Sequence, residues 1–168
     1  MTLTQLFLGQ LDSELRRTRR AIEQVPKGQD NWAPHPRSMP LMRLAGLVAS
    51  MPSWVALIIN QENVDLNPPG GKSVYQQPTA DGLLAALDKA AVDGRAALSG
   101  TTDDFLINTN WQLLVGGKVV SDTPRYVFLA DTFTHLAHHR GQLTVYLRLL
   151  EQKVPALYGP SADDPSFG

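Results

Sequence analysis

The sequence of 168 residues contains no cysteine. This absence excludes disulfide bonds, thiolate nucleophiles and every metal site that is built on cysteine sulfur. An excess of basic side chains is also missing, since 15 Lys and Arg stand against 16 Asp and Glu. Proteins that bind nucleic acid without regard to its sequence depend on such an excess, so we expect no nucleic-acid partner.

Several familiar sequence signals are missing as well. The motifs G-x-S-x-G and G-x-G-x-x-G do not occur, which removes the signatures of nucleophile-elbow hydrolases and of dinucleotide-binding folds. No run of about 18 consecutive apolar residues is present, so we expect no membrane span. The arginines of the first twenty residues follow the apolar positions, whereas a signal peptide would put them first. These features predict a cytoplasmic protein.

What the sequence does contain is typical of a folded protein. Hydrophobic residues make up 43% of the chain and charged residues only 18%, far from the composition of a disordered segment. A chain of this length can bury most of its apolar surface in one core. We therefore expect a single domain that spans residues 1–168.

Apolar residues recur every three or four positions in four segments, which is the spacing of a buried helix face. The predicted helices run over residues 3–24, over residues 41–59, from Thr79 to about residue 98, and over residues 124–152. Pro52 lies inside the second segment and is expected to kink it, because proline lacks a backbone donor. The pattern predicts an all-α protein, an antiparallel four-helix bundle.

Two connections in this predicted bundle differ from short helix–helix loops. Residues 63–78 are polar and rich in turn-forming residues, and their length favours a long crossover between helices two and three. Gly116 and Gly117 separate two short apolar runs, a pattern that is typical of a tight β-hairpin. We therefore expect a short β-hairpin before helix four.

Three of the four histidines lie within five residues of the fourth predicted helix. His135 and His139 are one turn apart, so both imidazoles can turn toward the bundle and offer two neutral nitrogen ligands to one metal ion. Asp131 lies about 12 Å along the helix from His139 and cannot join both histidines, although it can orient His135 by a hydrogen bond. Arg140 is expected to form a structural ion pair or a capping bond to a loop carbonyl. At this point the two histidines fit either metal ligands or a hydrogen-bonded pair in a polar core.

Four stretches of the chain resemble the DinB family. They are WAPHPRSM at residues 32–39, LAGLVA at 44–49 followed by MPSW at 51–54, HLAHHRGQL at 135–143 and YGPSAD at 158–163. The resemblance implies a four-helix metalloenzyme fold that is often a homodimer. It also implies a divalent metal, nickel or zinc, held by one histidine of helix two and the H-x-x-x-H pair of helix four. Relatives with assigned activities include thiol transferases and thiol-dependent isomerases.

This chain departs from the family pattern at one of the implied ligands. His135 and His139 match the two positions on helix four, but Leu47 stands where the family has the histidine of helix two. An isobutyl group has no lone pair, so the usual three-histidine site is broken. Ser50 is a poor zinc ligand, and His35 could reach the site only if its loop folds over it.

Three functional interpretations follow from these residues. The first is a degenerate DinB-like protein without metal that acts as a small-molecule-binding or interaction module. Its expected pocket residues are Leu47, Ser50, Asp131, Gln142 and Tyr146. The second is a metal-dependent thiol or group transferase that uses His135, His139 and a third ligand not identified in the sequence. The third is a metal-independent acid–base enzyme in which Asp131 orients His135.

Overall fold

The computed structural model describes residues 1–71 and 79–166. Helix α1 covers Leu3–Ile22 and begins where a capping box can form. The hydroxyl of Thr2 accepts the backbone N–H of Gln5 at 3.1 Å, and the Gln5 side chain accepts the backbone N–H of Thr2 at 3.0 Å. This reciprocal pair satisfies two backbone donors that the first turn of a helix leaves without a partner.

The second predicted helix is broken at the expected residue. Helix α2 covers Leu41–Ser50, a single 3₁₀ turn covers Met51–Ser53, and helix α3 covers Trp54–Asn60. Pro52 lies in the 3₁₀ turn, where its missing N–H interrupts the regular hydrogen-bond ladder. The predicted kink is therefore confirmed, and it divides this part of the chain into two helices.

Three further helices complete the helical part. After a 3₁₀ turn at Ala80–Gly82, helix α4 covers Leu83–Gly100, helix α5 covers Asp103–Asn108 and helix α6 covers Arg125–Leu149. Helix α5 is absent from the sequence prediction, because six residues are too few to establish a helical period. Its first residue, Asp103, accepts the backbone N–H groups of Leu3 and Thr4 at 2.8 and 2.9 Å and so joins α5 to the start of α1.

A three-stranded sheet corrects the prediction of an all-α fold. Strands β1, Asn63–Asp65, β2, Asn110–Val115, and β3, Lys118–Pro124, lie in the order β1-β2-β3. The predicted hairpin is present as β2 and β3, with positive φ angles of 61° and 77° at Gly116 and Gly117. The all-α expectation is wrong because β1, from the predicted crossover, adds a parallel strand to β2. Residues 72–78 of that crossover lie outside the described residues.

The long helices bury their apolar faces against one another. Helices α4 and α6 each pack against α1 and against the α2 and α3 pair. One core cluster joins α1, α3 and α6 with β2 and is built around Phe7, Trp111 and Phe133. A second cluster joins α2 with α6 and includes Leu44 and Leu136. The mostly helical chain thus holds α2 and α6 side by side, which positions the histidines of α6.

The segment Leu41–Asn60 is long and apolar enough, by length and composition alone, to cross a membrane. In the structure, 61% of its most apolar 18-residue window is buried inside the protein. This segment packs against α1, α4 and α6. The core helix of a globular protein has the same composition, and its packing here accounts for its apolar character.

Candidate functional site

A cleft of about 720 Å³ opens between the end of α2, the sheet and the first half of α6. Its walls are mostly apolar and include Leu47 and Met51 from the α2 side, Trp54 from α3 and Phe128 from α6. Apart from the indole N–H of Trp54, the polar side chains that line it among the described residues come from α6, and they include Asp131, His135 and His138. An apolar cleft with a few polar groups at one side is the usual form of a small-molecule site.

His135 and His139 face each other across one turn of α6. Their Nε2 atoms are 2.8 Å apart, and their ring centroids are 4.6 Å apart. The Nδ1 atom of His139 lies 2.8 Å from Oε1 of Gln142. Since that oxygen can only accept, His139 carries its proton on Nδ1 and keeps a lone pair on Nε2. The Nε2–H group of His135 then donates to that lone pair.

The surroundings of His135 favour its neutral form. Loss of hydration within the cleft lowers the pKa of His135 below its ordinary value, and the neighbouring His139 and His138 lower it further. Two positive charges would place N–H groups against each other between the rings, so the geometry does not accommodate a doubly protonated pair.

The other predicted site residues do not all lie in the cleft. Leu47 and Asp131 lie in the same cleft as His135. Ser50 donates to the Gly46 carbonyl at 2.8 Å and lines a separate depression of about 280 Å³. The hydroxyl of Tyr146 donates to the Met39 carbonyl at 3.1 Å, and the Tyr146 side chain is part of the buried core.

Two contacts considered from the sequence are not formed. Among the hydrogen bonds of the described residues, none joins Asp131 to His135, whose Nε2 is engaged with His139 instead. His35 accepts the backbone N–H of Arg37 at 3.1 Å within its own exposed loop and does not line the cleft. Gln142 and its partner His139 also lie outside the cleft lining among the described residues.

The sequence prediction did not include three large side chains of the cleft. Met51 and Phe128 lie in apolar helical periods, and a helical period does not distinguish a core wall from a cleft wall. Trp54 has the large apolar ring that is typical of a core anchor. The signal that the sequence offers is Pro52, which interrupts the helix between Met51 and Trp54.

The donor atoms at this cleft do not fit a metal held by three protein ligands. No group of three or more His, Cys, Asp or Glu that could hold an ion occurs in residues 1–71 and 79–166. Residues 72–78 and 167–168 contain none of these four residue types. Leu47, which lines the same cleft as His135, has a side chain without a lone pair. Zinc is normally held by three or four protein ligands, and here the two imidazoles have no third.

The sequence profile of the DinB family matches residues 1–166. This chain belongs to the DinB family. A DinB-like protein from Bacillus cereus is 22% identical, with a TM-score of 0.67 over 90% of this chain and 95% of the other. A DinB-like protein from Bacillus subtilis is 16% identical, with a TM-score of 0.65 over 89% of this chain and 94% of the other. At these identities the structural likeness establishes the fold alone.

No curated protein matches the sequence of this DinB-family chain. Its chemistry therefore has to be argued from its own cleft. The resemblance to the DinB family implies one histidine on α2 and two on α6, and this member carries Leu47 at the α2 position. The departure affects the α2 side of the cleft, whereas His135 lines the α6 side and keeps its contact with His139.

Proposed function

We propose that this DinB-family protein binds a small organic molecule in the cleft between α2 and α6, without a metal ion held by three histidines. The observation that carries the proposal is the position of Leu47, which lines the same cleft as His135 and supplies methyl groups where an ion would need a donor atom. The protein is thus a binding module that keeps the cleft of its family and has lost one metal ligand.

The lining of the cleft indicates the chemistry of its ligand. Trp54, Phe128 and Met51 offer aromatic and thioether surfaces that favour a flat apolar group. Asp131 and His135 lie along the α6 wall, where they can accept or donate hydrogen bonds. A ligand with one apolar body and one hydrogen-bonding end matches this division, since apolar burial supplies affinity and the polar groups fix orientation.

A metal-dependent thiol or group transferase is the second candidate. One observation favours it: Gln142 holds the tautomer of His139 that directs an Nε2 lone pair at His135. Polar partners of this kind commonly orient histidines that bind metals. In this alternative a nickel or zinc ion would need donors from outside the chain in addition to His135 and His139.

Substitution at Leu47 tests the proposal through metal binding. Protein purified without a polyhistidine tag is expected to contain less than stoichiometric zinc or nickel by elemental analysis. Leu47→His should bind zinc at least about tenfold more tightly than the wild type, a gain of about 1.4 kcal/mol. A stoichiometric metal in the wild-type protein that is lost in His139→Gln would contradict the proposal and favour the transferase.

Filling the cleft tests the proposal through ligand binding. The fluorescent probe 8-anilinonaphthalene-1-sulfonate carries an apolar ring system and a polar end, and we expect it to bind the wild-type protein saturably. Leu47→Trp should abolish that binding, because the added ring occupies the cleft. Val92→Trp, on an exposed position of α4, is the matched control and should leave binding unchanged. Equal binding by both variants would exclude the cleft as the site.

We also infer the helical architecture and the oligomeric state of the protein. The packing of α4 and α6 against both α1 and the α2 and α3 pair supports an antiparallel four-helix bundle that forms one domain. Its assembly as a cytoplasmic homodimer stays a prediction from the family resemblance. Light scattering on the purified protein measures the oligomeric state directly.

A further inference from the structure

A second depression, of about 580 Å³, lies at the opposite side of the sheet from the histidines, around Arg125. Arg125 is the first residue of α6 and is only 4% exposed. Its Nη1 atom donates to the carbonyls of Ile58 and, at 2.7 Å, Gln61, so it caps the end of α3. Its guanidinium lies 4.6 Å from the centroid of the Phe105 ring.

The positive charge of Arg125 has no carboxylate partner within ion-pair distance among the described residues, since its hydrogen-bond acceptors are carbonyl oxygens. Its Nε atom is buried and has no hydrogen-bond partner among them. No hydrogen bond of the described residues involves its Nη2 atom either. A buried cation without an ion-pair partner is costly: burial lowers the pKa of Arg125, and the charge of Glu62 offsets this only in part. The positive end of the α6 dipole adds to the potential there.

The walls of this depression are rich in side-chain amides. Asn60, Asn63, Asn110 and Gln112 all line it. The carboxylate of Asp122 lies 2.8 Å from Nδ2 of Asn110 and 2.8 Å from Nε2 of Gln112. The reversed amide orientation would place two oxygens together, so the nitrogens must face Asp122. The amide oxygens of both residues are then left as acceptors for another molecule.

We propose that this depression is a binding site for a small carboxylate that also carries an N–H or O–H group. The carboxylate of the ligand accepts from the Nη2 atom of Arg125, and its donor group binds the amide oxygens of Asn110 and Gln112. Two nearby acidic groups, Asp122 and Glu62, disfavour ligands with several negative charges. The site therefore favours a monocarboxylate over a polyphosphate.

A pair of matched probes tests the carboxylate requirement. N-acetylglycine has a carboxylate and an N–H donor, whereas N-acetylglycinamide keeps the donor and lacks the charge. In the wild-type protein, N-acetylglycine should shift the guanidinium Nε–H resonance of Arg125 saturably in ¹⁵N NMR, and Arg125→Lys identifies that resonance by its loss. The amide probe should bind at least about tenfold more weakly, a difference of about 1.4 kcal/mol.

Charge variants test the electrostatic part of the proposal. Glu62→Gln removes a negative charge from the exposed rim and should tighten N-acetylglycine binding about two- to fivefold. Arg125→Lys keeps the charge but loses the planar guanidinium that directs Nη2 into the depression, and it should weaken binding at least about tenfold. Asp12→Asn, in a surface ion pair of α1, is the control and should leave binding unchanged.

Three outcomes would overturn the proposal. They are no saturable shift with N-acetylglycine, an equal affinity for the two probes, and weaker binding in Glu62→Gln than in the wild type. Any resonance of the wild-type chain that shifts saturably reports binding, and Glu62 is an exposed residue, so none of the three outcomes requires Arg125→Lys to fold. The experiment also leaves the cleft at His135 untouched, so its result is separate from the function proposed above.

Discussion

Helix α6 carries two buried arginines, and they differ in how their charges are neutralised. Arg140 is fully buried, and its Nη2 atom lies 2.5 Å from Glu14 Oε2 and 2.5 Å from the Tyr158 hydroxyl. Arg125 is almost as buried and hydrogen-bonds backbone carbonyls only. The chain therefore pairs one guanidinium with a carboxylate, whereas the other has no carboxylate within ion-pair distance among the described residues. Burial alone does not define the role of an arginine.

The partners of Arg140 come from separate parts of the chain. Glu14 and Thr18 belong to α1, and Thr18 accepts from Nη1 of Arg140 at 3.0 Å. Tyr158 belongs to the C-terminal segment, and its hydroxyl lies 3.1 Å from Glu14 Oε2. The expected structural ion pair of Arg140 is confirmed, and it joins α1, α6 and the C-terminal segment. Arg140 thus stabilises the fold and is not available to a ligand.

Breaking the Arg140 pair should produce the largest loss of stability. Glu14→Gln leaves the guanidinium of Arg140 buried without a carboxylate, and removing one partner of a buried pair costs about 3–5 kcal/mol of unfolding free energy. Urea unfolding followed by circular dichroism measures this loss. Asp12→Asn is the control: Asp12 pairs with Arg95 at 2.7 Å on the surface, where an ion pair contributes at most about 1 kcal/mol. An equal loss of unfolding free energy in the two variants would show that the buried Arg140 pair stabilises the fold no more than a surface ion pair does.

Removing the other arginine should cost less. Arg125→Met deletes the hydrogen bonds to the carbonyls of Ile58 and Gln61 but also removes a buried charge that has no carboxylate partner. We expect a loss of about 1–3 kcal/mol in urea unfolding, because the lost hydrogen bonds are partly offset by the lower cost of desolvation. A loss as large as that of Glu14→Gln would mean that the interactions of the two guanidiniums contribute equally to stability, and the proposed difference between the two arginines would be wrong.

The sequence predicts the long helices and the hairpin because their signals are local. The apolar period predicts α1 within two residues of its end, Pro52 predicts the break before α3, and Gly116 with Gly117 predicts the turn between β2 and β3. Strand β1 escapes prediction because it has three residues and pairs with a strand far along the chain. Such a partner becomes apparent only when the fold brings the two segments together.

The candidate site is predictable in part for a similar reason. The i and i+4 spacing brings His135 and His139 into contact, and Leu47 with Asp131 lies in the cleft beside His135. Tyr146 shares a helix face with these residues but follows His135 by 11 positions, about 16 Å along the axis. A helical wheel shows the angle of a residue around the helix axis but not its distance along the axis. The wheel therefore predicts Tyr146 in the cleft, whereas its side chain lies in the core.

The smallest expected effect concerns the segment that brings Tyr158 to Arg140. Asp164 anchors this segment: it pairs with Arg20 and accepts the backbone N–H of Ala156 at 3.1 Å. Hydrogen bonds from the Ser166 side chain and from backbone N–H groups, including that of Ala156, lower the pKa of Asp164 from 3.8 to about 2. The folded state thus favours the ionised form, and the stability this provides is present above the unfolded pKa.

That stabilisation should disappear as the pH falls from 3.8 to about 2, where Asp164 becomes protonated in the folded state as well. Asp164→Asn lacks the charge at every pH, so it should be less stable than the wild type at pH 6 and should approach the wild type at pH 2. Urea midpoints across this range measure the difference between the two proteins. A difference that stays constant with pH would assign the contribution of Asp164 to hydrogen-bond geometry instead of charge, and the support of Tyr158 by this segment would then be independent of pH.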